Sequence, residues 1–365
     1  MKTKLIFAAV AATFAFAGAA SAADVSIYGR VDAGLKYTHI NHGTDTLKMN
    51  AGGRSHNRFG FNIVEDLGNG WKVKGYLENG FTIDDGSLDT EGQLFNRRSI
   101  LAVAGPYGEL GMGRAGTVQS TMAPYTMGLI KYDPFGTSYG NASIGSTFAN
   151  SSRVNNGVHY ISPKFAGVNF GASYSFGDKT DEAEWQDKQH TFAAAVNYTS
   201  DDLYLSLSFA NVDSAHGASR VDDARTYDLG GWWRVTPDFR LFAGVGYQES
   251  WASGAKLSAS KVVSDKAISK GGFDGTSGLL GMDWKGGAHK VMFDVQYFDG
   301  ELANNKDVDF QRTVVAGAYE YYFSKKVIGY VAATFSTTNG KAKDMAKSVS
   351  NNDTTEVFVG LNYNF

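Results

Sequence analysis

The sequence predicts an all-β fold, a sixteen-stranded antiparallel β-barrel that spans a membrane. Three observations support this prediction. Apolar residues recur at every second position in one segment after another, short turns alternate with long polar connections, and both ends of the mature chain read as strands. Alternation by two is typical of strands with one apolar face. A first and a last strand that pair would close the sheet and remove its edges, which is how a sheet can lie in lipid.

Residues 1–22 are predicted to be a secretory signal peptide. Lys2 and Lys4 precede an apolar run, and Ala20-Ser21-Ala22 is typical of a cleavage site. Residues 23–365 are then expected to form a single barrel domain. The formal charge of the mature chain becomes −5, because cleavage removes two lysines from a chain of charge −3. This charge gives no reason to expect a nucleic-acid partner.

The composition suits many long strands. The chain has 44 glycines, 5 prolines and no cysteine, and aromatic residues make up 13% of it. The scarcity of proline matters because proline removes a hydrogen bond from a sheet. The absence of cysteine excludes thiol chemistry and a disulfide framework. After residue 22, no run of eighteen apolar residues predicts a membrane helix.

The sixteen predicted strands are the segments in which apolar and polar residues alternate. Clear examples are 203–212, where Leu205 and Leu207 alternate with serines, and 288–299, where Val291, Phe293 and Val295 alternate with Lys290, Met292, Asp294 and Gln296. The predicted strands are 24–40, 54–66, 70–82, 97–105, 108–115, 153–162, 167–177, 189–199, 203–212, 224–236, 239–250, 276–286, 288–299, 311–323, 326–337 and 355–365.

The connections between these segments fall into two classes. Seven are short and rich in turn residues, such as Leu67-Gly68-Asn69-Gly70 and Thr236-Pro237-Asp238. Eight are longer and polar, at 41–53, 83–96, 116–152, 178–188, 213–223, 251–275, 300–310 and 338–354. Short turns at one end and long loops at the other are typical of outer-membrane barrels, and they place both termini on the short-turn side.

Motifs for cofactor or metal chemistry are weak. Gly111 to Gly116 match G-x-G-x-x-G, but no helix start follows, as a dinucleotide site would require. His39 and His42 are only two ligands in a polar loop. We therefore predict no cofactor, no metal site and no catalytic residues.

The parity of each strand predicts which charged side chains face the lumen. Where Phe59 and Phe61 face lipid, the residues between and beside them face inward. An arginine at the lipid midplane would cost about 2–4 kcal/mol, which favours the lumen for arginines deep in strands. The inward charged residues predicted in this way are Arg30, Asp32, Arg58, Lys72, Lys74, Glu78, Arg98 and Arg153, with Arg97 in place of Arg98 if a bulge intervenes.

The connection 116–152 is the longest loop, and long loops that persist usually have a function. It carries several aromatic residues but only two ionised ones, Lys131 and Asp133. Such a loop could fold outward as a lid or inward across the lumen.

Several stretches resemble the general porins of Gram-negative outer membranes, especially the branch found in betaproteobacteria and Neisseria. The resemblance extends over essentially the whole mature chain. The stretches that carry it are Val25 to Gly34, Arg58-Phe59-Gly60-Phe61, Glu65 to Gly70, Phe95-Asn96-Arg97-Arg98-Ser99, Gly108 to Arg114, Arg153 to Val158 and the terminal Phe365.

The resemblance implies a homotrimer in which the third loop folds into each lumen. It also implies a constriction with arginines on one wall, here Arg58, Arg97 or Arg98, and Arg153, and loop acids opposite them. The sequence departs from the enteric pattern here, since Asp133 is the only acid in the third loop. The implied partners are outer-membrane lipid and lipopolysaccharide, the outer-membrane assembly machinery, and small hydrophilic solutes and ions.

These observations predict a porin for passive diffusion with a modest preference for anions. Arg30, Arg58, Arg97 or Arg98, and Arg153, with Lys131 nearby, outnumber Asp32, Glu78 and Asp133 at the predicted constriction. Phe365 is expected to carry the assembly signal. Two alternatives remain open: a channel that prefers sugars or organic anions, and a non-conducting barrel that serves as an adhesin or structural protein.

Overall fold

A computed structural model describes residues 24–41, 43–177, 189–213, 222–251, 272–340 and 353–365. The predicted signal peptide 1–22 lies outside the described residues, as do His42 and most of the predicted loops 178–188 and 251–275.

Within these residues, seventeen strands form one sheet that closes on itself, with antiparallel neighbours throughout. They are β1 Asp24–Ile40, β2 Thr46–Ala51, β3 Arg58–Gly68, β4 Trp71–Gly80, β5 Arg98–Gly105, β6 Gly108–Gly116, β7 Arg153–Ile161, β8 Val168–Ser175, β9 Thr191–Thr199, β10 Leu203–Val212, β11 Ala224–Thr236, β12 Phe239–Trp251, β13 Phe273–Gly286, β14 His289–Leu302, β15 Asn305–Tyr322, β16 Val327–Asn339 and β17 Thr354–Asn364.

The barrel wall has sixteen strand positions, because β2 and β3 share one of them. The first half of β1 pairs with β3, from Asp24 opposite Val64 to Arg30 opposite Arg58. Its second half pairs with β2. The sixteen-stranded antiparallel barrel is therefore confirmed, although the prediction that residues 41–53 are all loop is wrong.

The terminal strands close the barrel. Strands β1 and β17 pair from Arg30 opposite Asn364 to Ile40 opposite Thr354. The last residue extends this ladder, since the Phe365 N–H donates to the Gly29 carbonyl at 3.1 Å and the Gly29 N–H donates back at 3.2 Å. Gly29 also leaves room for the ring, because a Cβ there would lie 2.2 Å from the Phe365 ring.

Burial alternates along the strands as the sequence predicts. In β14, Val291, Phe293, Val295 and Tyr297 are 37–43% exposed, while Asp294 and Gln296 between them are fully buried. The exposed row faces lipid and the buried polar row faces the interior. Trp71, Phe165, Trp284 and Phe323 lie exposed beside short turns, as expected for an interfacial girdle. Tyr322 also lies beside a short turn, but it donates a hydrogen bond to the inward-facing Glu320 at 2.9 Å.

The short turns all fall where the sequence predicts them, but one long loop does not exist as such. The strands β14 and β15 continue until only Ala303 and Asn304 separate them. Val308 and Phe310, which the sequence places in a loop, are buried strand residues. Among the described residues, no helix is long and apolar enough to cross a membrane.

Candidate functional site

Residues 117–152, here called L3, connect β6 to β7 and lie against the inner face of β10 to β17. L3 contains three single 3-10 turns, the first at Leu129–Tyr132. Its aromatic rings fit over wall glycines: a Cβ at Gly230 or Gly244 would lie 2.5 or 2.8 Å from the Tyr132 ring. Leu129, Tyr132, Ile144 and Phe148 are all fully buried. L3 is thus packed on the wall along one side.

Polar side chains on the wall hold L3 by hydrogen bonds. Gln119 donates to Asp228 on β11 at 2.8 Å, and Thr147 donates to Gln296 on β14 at 2.9 Å. The Asn141 N–H donates to Glu356 on β17 at 2.9 Å. These acceptors are inward-facing residues of strands spread along the sheet. L3 therefore covers much of one wall, and its Tyr125 also packs on Gly111 of β6 and stacks on His159 of β7. The inner faces of β1, β3, β4 and β5 border the cavity described below.

Residues 52–57 interrupt the strand position that β2 and β3 share, and this interruption brings polar residues inward. Gly52 begins it with φ of +86°, a conformation that favours glycine. Residues 52–57 then leave the wall and carry Arg54, Ser55 and His56 into the lumen, where they line the cavity described below. The parity that places Arg58 inward also holds for positions 54 and 56, so this signal was present in the sequence.

Asp32 holds this interruption in place by hydrogen bonds. Its carboxylate accepts hydrogen bonds from the Ser55 N–H at 3.0 Å, the Tyr330 hydroxyl at 2.8 Å and the Asn362 amide at 3.1 Å. Its own N–H donates to Asn57. Asp32 is fully buried, so it faces inward as predicted but fixes the backbone of residues 52–57 and does not line the cavity.

Three arginines surround the carboxylate of Glu78. Arg97 Nε lies 2.7 Å and Arg98 Nη2 3.1 Å from its oxygens, and Arg58 Nη1 lies 3.8 Å away. The Tyr28 hydroxyl also donates to Glu78, at 2.8 Å. Arg30, opposite Arg58 in the ladder, donates to the Ser55 hydroxyl at 2.7 Å, and Arg58 donates to the same hydroxyl at 3.1 Å.

The sequence left open whether Arg97 or Arg98 faces inward, and the structure brings both to Glu78. Arg98 lies opposite Glu78 in the ladder between β4 and β5. Arg97 precedes β5, and its backbone N–H donates a hydrogen bond to the Glu78 carbonyl at 3.2 Å. Arg153 completes the group, since its Nε donates to the Arg97 carbonyl at 3.0 Å.

These side chains line a cavity of about 500 Å³ between the β1–β7 wall and L3. Its ionisable lining, besides His56, consists of seven bases and three acids: Arg30, Arg54, Arg58, Arg97, Arg98, Arg153 and Lys290, with Glu78, Asp89 and Glu320. Within the described residues, Arg30 and Arg153 have no carboxylate at ion-pair distance. The cavity therefore carries an excess of positive charge.

The two predicted ionised residues of L3 lie elsewhere. The Asp133 carboxylate accepts hydrogen bonds from the N–H groups of Phe135 and Ile144, both at 2.7 Å, and the side chain is buried. Burial raises the pKa of this carboxyl. Lys131 is exposed. Neither residue lines the cavity.

Sequence reasoning did not single out Arg54 and Glu320. Arg54 donates to both carboxylate oxygens of Glu320, at 2.8 and 3.1 Å, and the Tyr139 hydroxyl of L3 donates to the same group at 2.8 Å. Burial alone would lower the pKa of Arg54, but the Glu320 carboxylate outweighs this and raises it. Glu320 thus joins the interruption and L3 to β15, across 266 residues of sequence.

Replacing Glu320 with glutamine is expected to destabilise the barrel by about 1–3 kcal/mol, because the partly buried Arg54 loses its charged partner. The temperature at which the folded band is lost on gels should fall. Glu301→Gln is the matched control, since Glu301 pairs at 3.4 Å with Lys306, which is 75% exposed, and such a pair contributes at most about 1 kcal/mol. Equal effects of the two substitutions would contradict the anchoring role of Glu320.

Two short motifs have structural explanations. Gly111 to Gly116 lie within strand β6 and lead directly into L3. Gly136 to Gly140 match the G-x-S-x-G pattern of a hydrolase elbow, which sequence inspection overlooked, but they form part of L3. The Ser138 hydroxyl there donates to the Arg54 carbonyl. Among the described residues, no group of three or more His, Asp or Glu side chains is placed to hold a metal.

Comparisons with known proteins agree with this architecture. Residues 8–341 match the family of Gram-negative porins. An outer membrane porin of Bordetella pertussis is 28% identical over the full length of both chains. Outer membrane porin protein 32 of Delftia acidovorans is 31% identical over 61% of this chain and 63% of its own. An anion-selective porin from Comamonas acidovorans has the same fold, with a TM-score of 0.71 at 23% identity, covering 94% of this chain and all of the other.

The chain therefore belongs to the Gram-negative porin family. It is an outer-membrane channel for the passive passage of small hydrophilic solutes, and it is not an enzyme. The wall of alternating apolar and polar residues is the part of the fold that serves this function, because it offers lipid one face and water the other.

Proposed function

We propose that this porin prefers anions, and that the arginines of the β1–β7 wall form its constriction together with L3. The observation that carries the proposal is the lining of the 500 Å³ cavity, in which seven bases face three acids. Two of the acids are already bound by arginines, Glu78 by three of them and Glu320 by Arg54. Charge at a narrow point of a pore decides which ions pass.

In this proposal, Arg30, Arg58, Arg97, Arg98 and Arg153 form the basic wall. Glu78 orients three of them and lowers the net charge without reversing its sign. Asp32 has a supporting role, because it holds Ser55, to which Arg30 and Arg58 both donate. The similar porin from Comamonas acidovorans is anion-selective, which supports the same interpretation.

The negative formal charge of the chain does not oppose this preference. Acids such as Asp178, Asp181, Glu182 and Glu184 belong to a predicted outer loop that lies outside the described residues. Charges in water farther than about 10 Å from the path are largely screened at 0.1 M salt. Side chains at the constriction act at shorter range, so the local excess of arginine outweighs the total.

We also propose that the protein is a homotrimer in contact with outer-membrane lipid and lipopolysaccharide, inserted by the outer-membrane assembly machinery. Phe365 would be the assembly signal. Its ring is exposed and its backbone pairs with Gly29 at the closing seam. The last strand therefore ends in an exposed aromatic residue and also closes the barrel.

Replacing Phe365 with aspartate is expected to lower the amount of folded protein in the membrane several-fold, because a charge would replace an aromatic ring on the outer surface of the seam. Heat-modifiable oligomer on gels measures the folded fraction. Phe365→Tyr keeps the aromatic ring and should assemble normally. Undiminished assembly of the aspartate variant would contradict the proposal.

A further inference from the structure

L3 presents an apolar surface to the arginines. In the turn Leu129–Tyr132, Leu129 and Tyr132 are fully buried against the wall, so Ile130 and Lys131 point away from it. Ile130 lines the cavity, together with Met122 and Ala123 from the first part of L3. All three are at least partly exposed.

No carboxylate of L3 competes with this surface. Asp133 is the only acid between residues 116 and 152. It is buried and its oxygens accept hydrogen bonds from the backbone of L3 itself. L3 therefore offers the cavity hydrocarbon and the hydroxyls of Thr121, Thr137 and Ser138, while most of the guanidinium groups come from the β1–β7 wall. Lys290 and Glu320 of the wall behind L3 also line the cavity.

We propose, on the basis of the anion preference proposed above, that this cavity selects monocarboxylates with an apolar body over anions of equal size that are polar throughout. The carboxylate would bind the planar forks of Arg30 and Arg153, which have no carboxylate partner among the described residues. The apolar body would contact Met122 and Ile130. An apolar contact of this kind gains free energy because it removes hydrocarbon surface from water.

The two faces act together only on a solute that carries both kinds of group. A hydrated inorganic anion gains from the arginines but not from L3. A neutral apolar solute gains from L3 but not from the arginines. Benzoate and nicotinate form a sharp test pair, since they share size, shape and charge and differ by a polar nitrogen in the ring.

The experiment measures reversal potentials across planar bilayers with sodium benzoate on one side and sodium nicotinate on the other. The wild-type channel is expected to pass benzoate about threefold more readily. The double variant Ile130→Asn with Met122→Gln should bring the ratio close to one. The double variant Ile130→Leu with Met122→Leu keeps the surface apolar and should retain the wild-type ratio.

Equal permeability of benzoate and nicotinate in a wild-type channel that prefers chloride over potassium would overturn this inference alone. A ratio that persists in the asparagine and glutamine variant would overturn it as well, provided that the variant gives the normal heat-modifiable oligomer. A wild-type channel without a preference for chloride would instead overturn the proposed function on which the inference rests.

Discussion

Removing residues 125–142 from L3 and joining the ends with a short glycine-serine linker is expected to raise the single-channel conductance by more than about twofold. A barrel of sixteen strands is wide enough to hold an aqueous channel, so L3 is the element that narrows it. The deleted residues carry Tyr132 and Tyr139, which lie on the inner faces of the wall.

The barrel should still fold without this part of L3. Many wall side chains that L3 covers are polar, among them Ser206, Ser208, Asp228 and Gln296, and water can satisfy them once L3 is gone. Planar-bilayer recording measures the conductance, and a heat-modifiable band confirms folding. Unchanged conductance of a folded deletion variant would mean that L3 does not limit the path.

Replacing Arg58 and Arg97 together with serine is expected to remove most of the preference for anions. A unit charge about 8 Å from an ion in water changes its energy by about 0.5 kcal/mol. Each lost positive charge raises the energy of chloride at the constriction and lowers that of potassium. The ratio of their permeabilities should therefore fall by about five- to tenfold after screening by salt.

Arg225 provides a matched control for this pair of substitutions. Its side chain is 46% exposed near the loop end of β11 and lies 3.7 Å from both Asp223 and Glu249. Arg225→Ser also removes one positive charge, but away from the cavity. We expect it to leave the permeability ratio nearly unchanged. A shift as large as that of the Arg58 and Arg97 variant would mean that selectivity follows total charge and not the local arginines.

The wall of the barrel was predictable because its signal is local. Every second side chain meets lipid, so the period of two in β10 or β14 follows directly from the solvent on each face. The same parity led to Arg30, Arg58 and Glu78. The prediction was wrong at Thr46–Ala51, where Leu47 and Met49 alternate with polar residues and are exposed, because so short a period-two segment was not distinguished from loop. It was also wrong at the start of β15, where polar residues stay in the ladder and Val308 and Phe310 are buried.

The placement of L3 and its partners could not be read in the same way. The contact between Arg54 and Glu320 joins residues far apart in sequence, and no local pattern marks it. Asp133 was expected to face the arginines because it is the only acid of L3. In the structure its carboxylate accepts hydrogen bonds from the backbone of L3, because the buried N–H groups of Phe135 and Ile144 need an acceptor.

The zero-current potential of the wild-type channel in a gradient of potassium chloride tests the proposed anion preference most directly. With seven bases and three acids at the cavity, the sign of the potential should correspond to a higher permeability for chloride than for potassium. The preference should weaken as the salt concentration rises, because screening shortens the reach of the arginines. A potential of the opposite sign, with potassium the more permeant ion, would contradict the assignment of the arginine wall as the selective part of the pore.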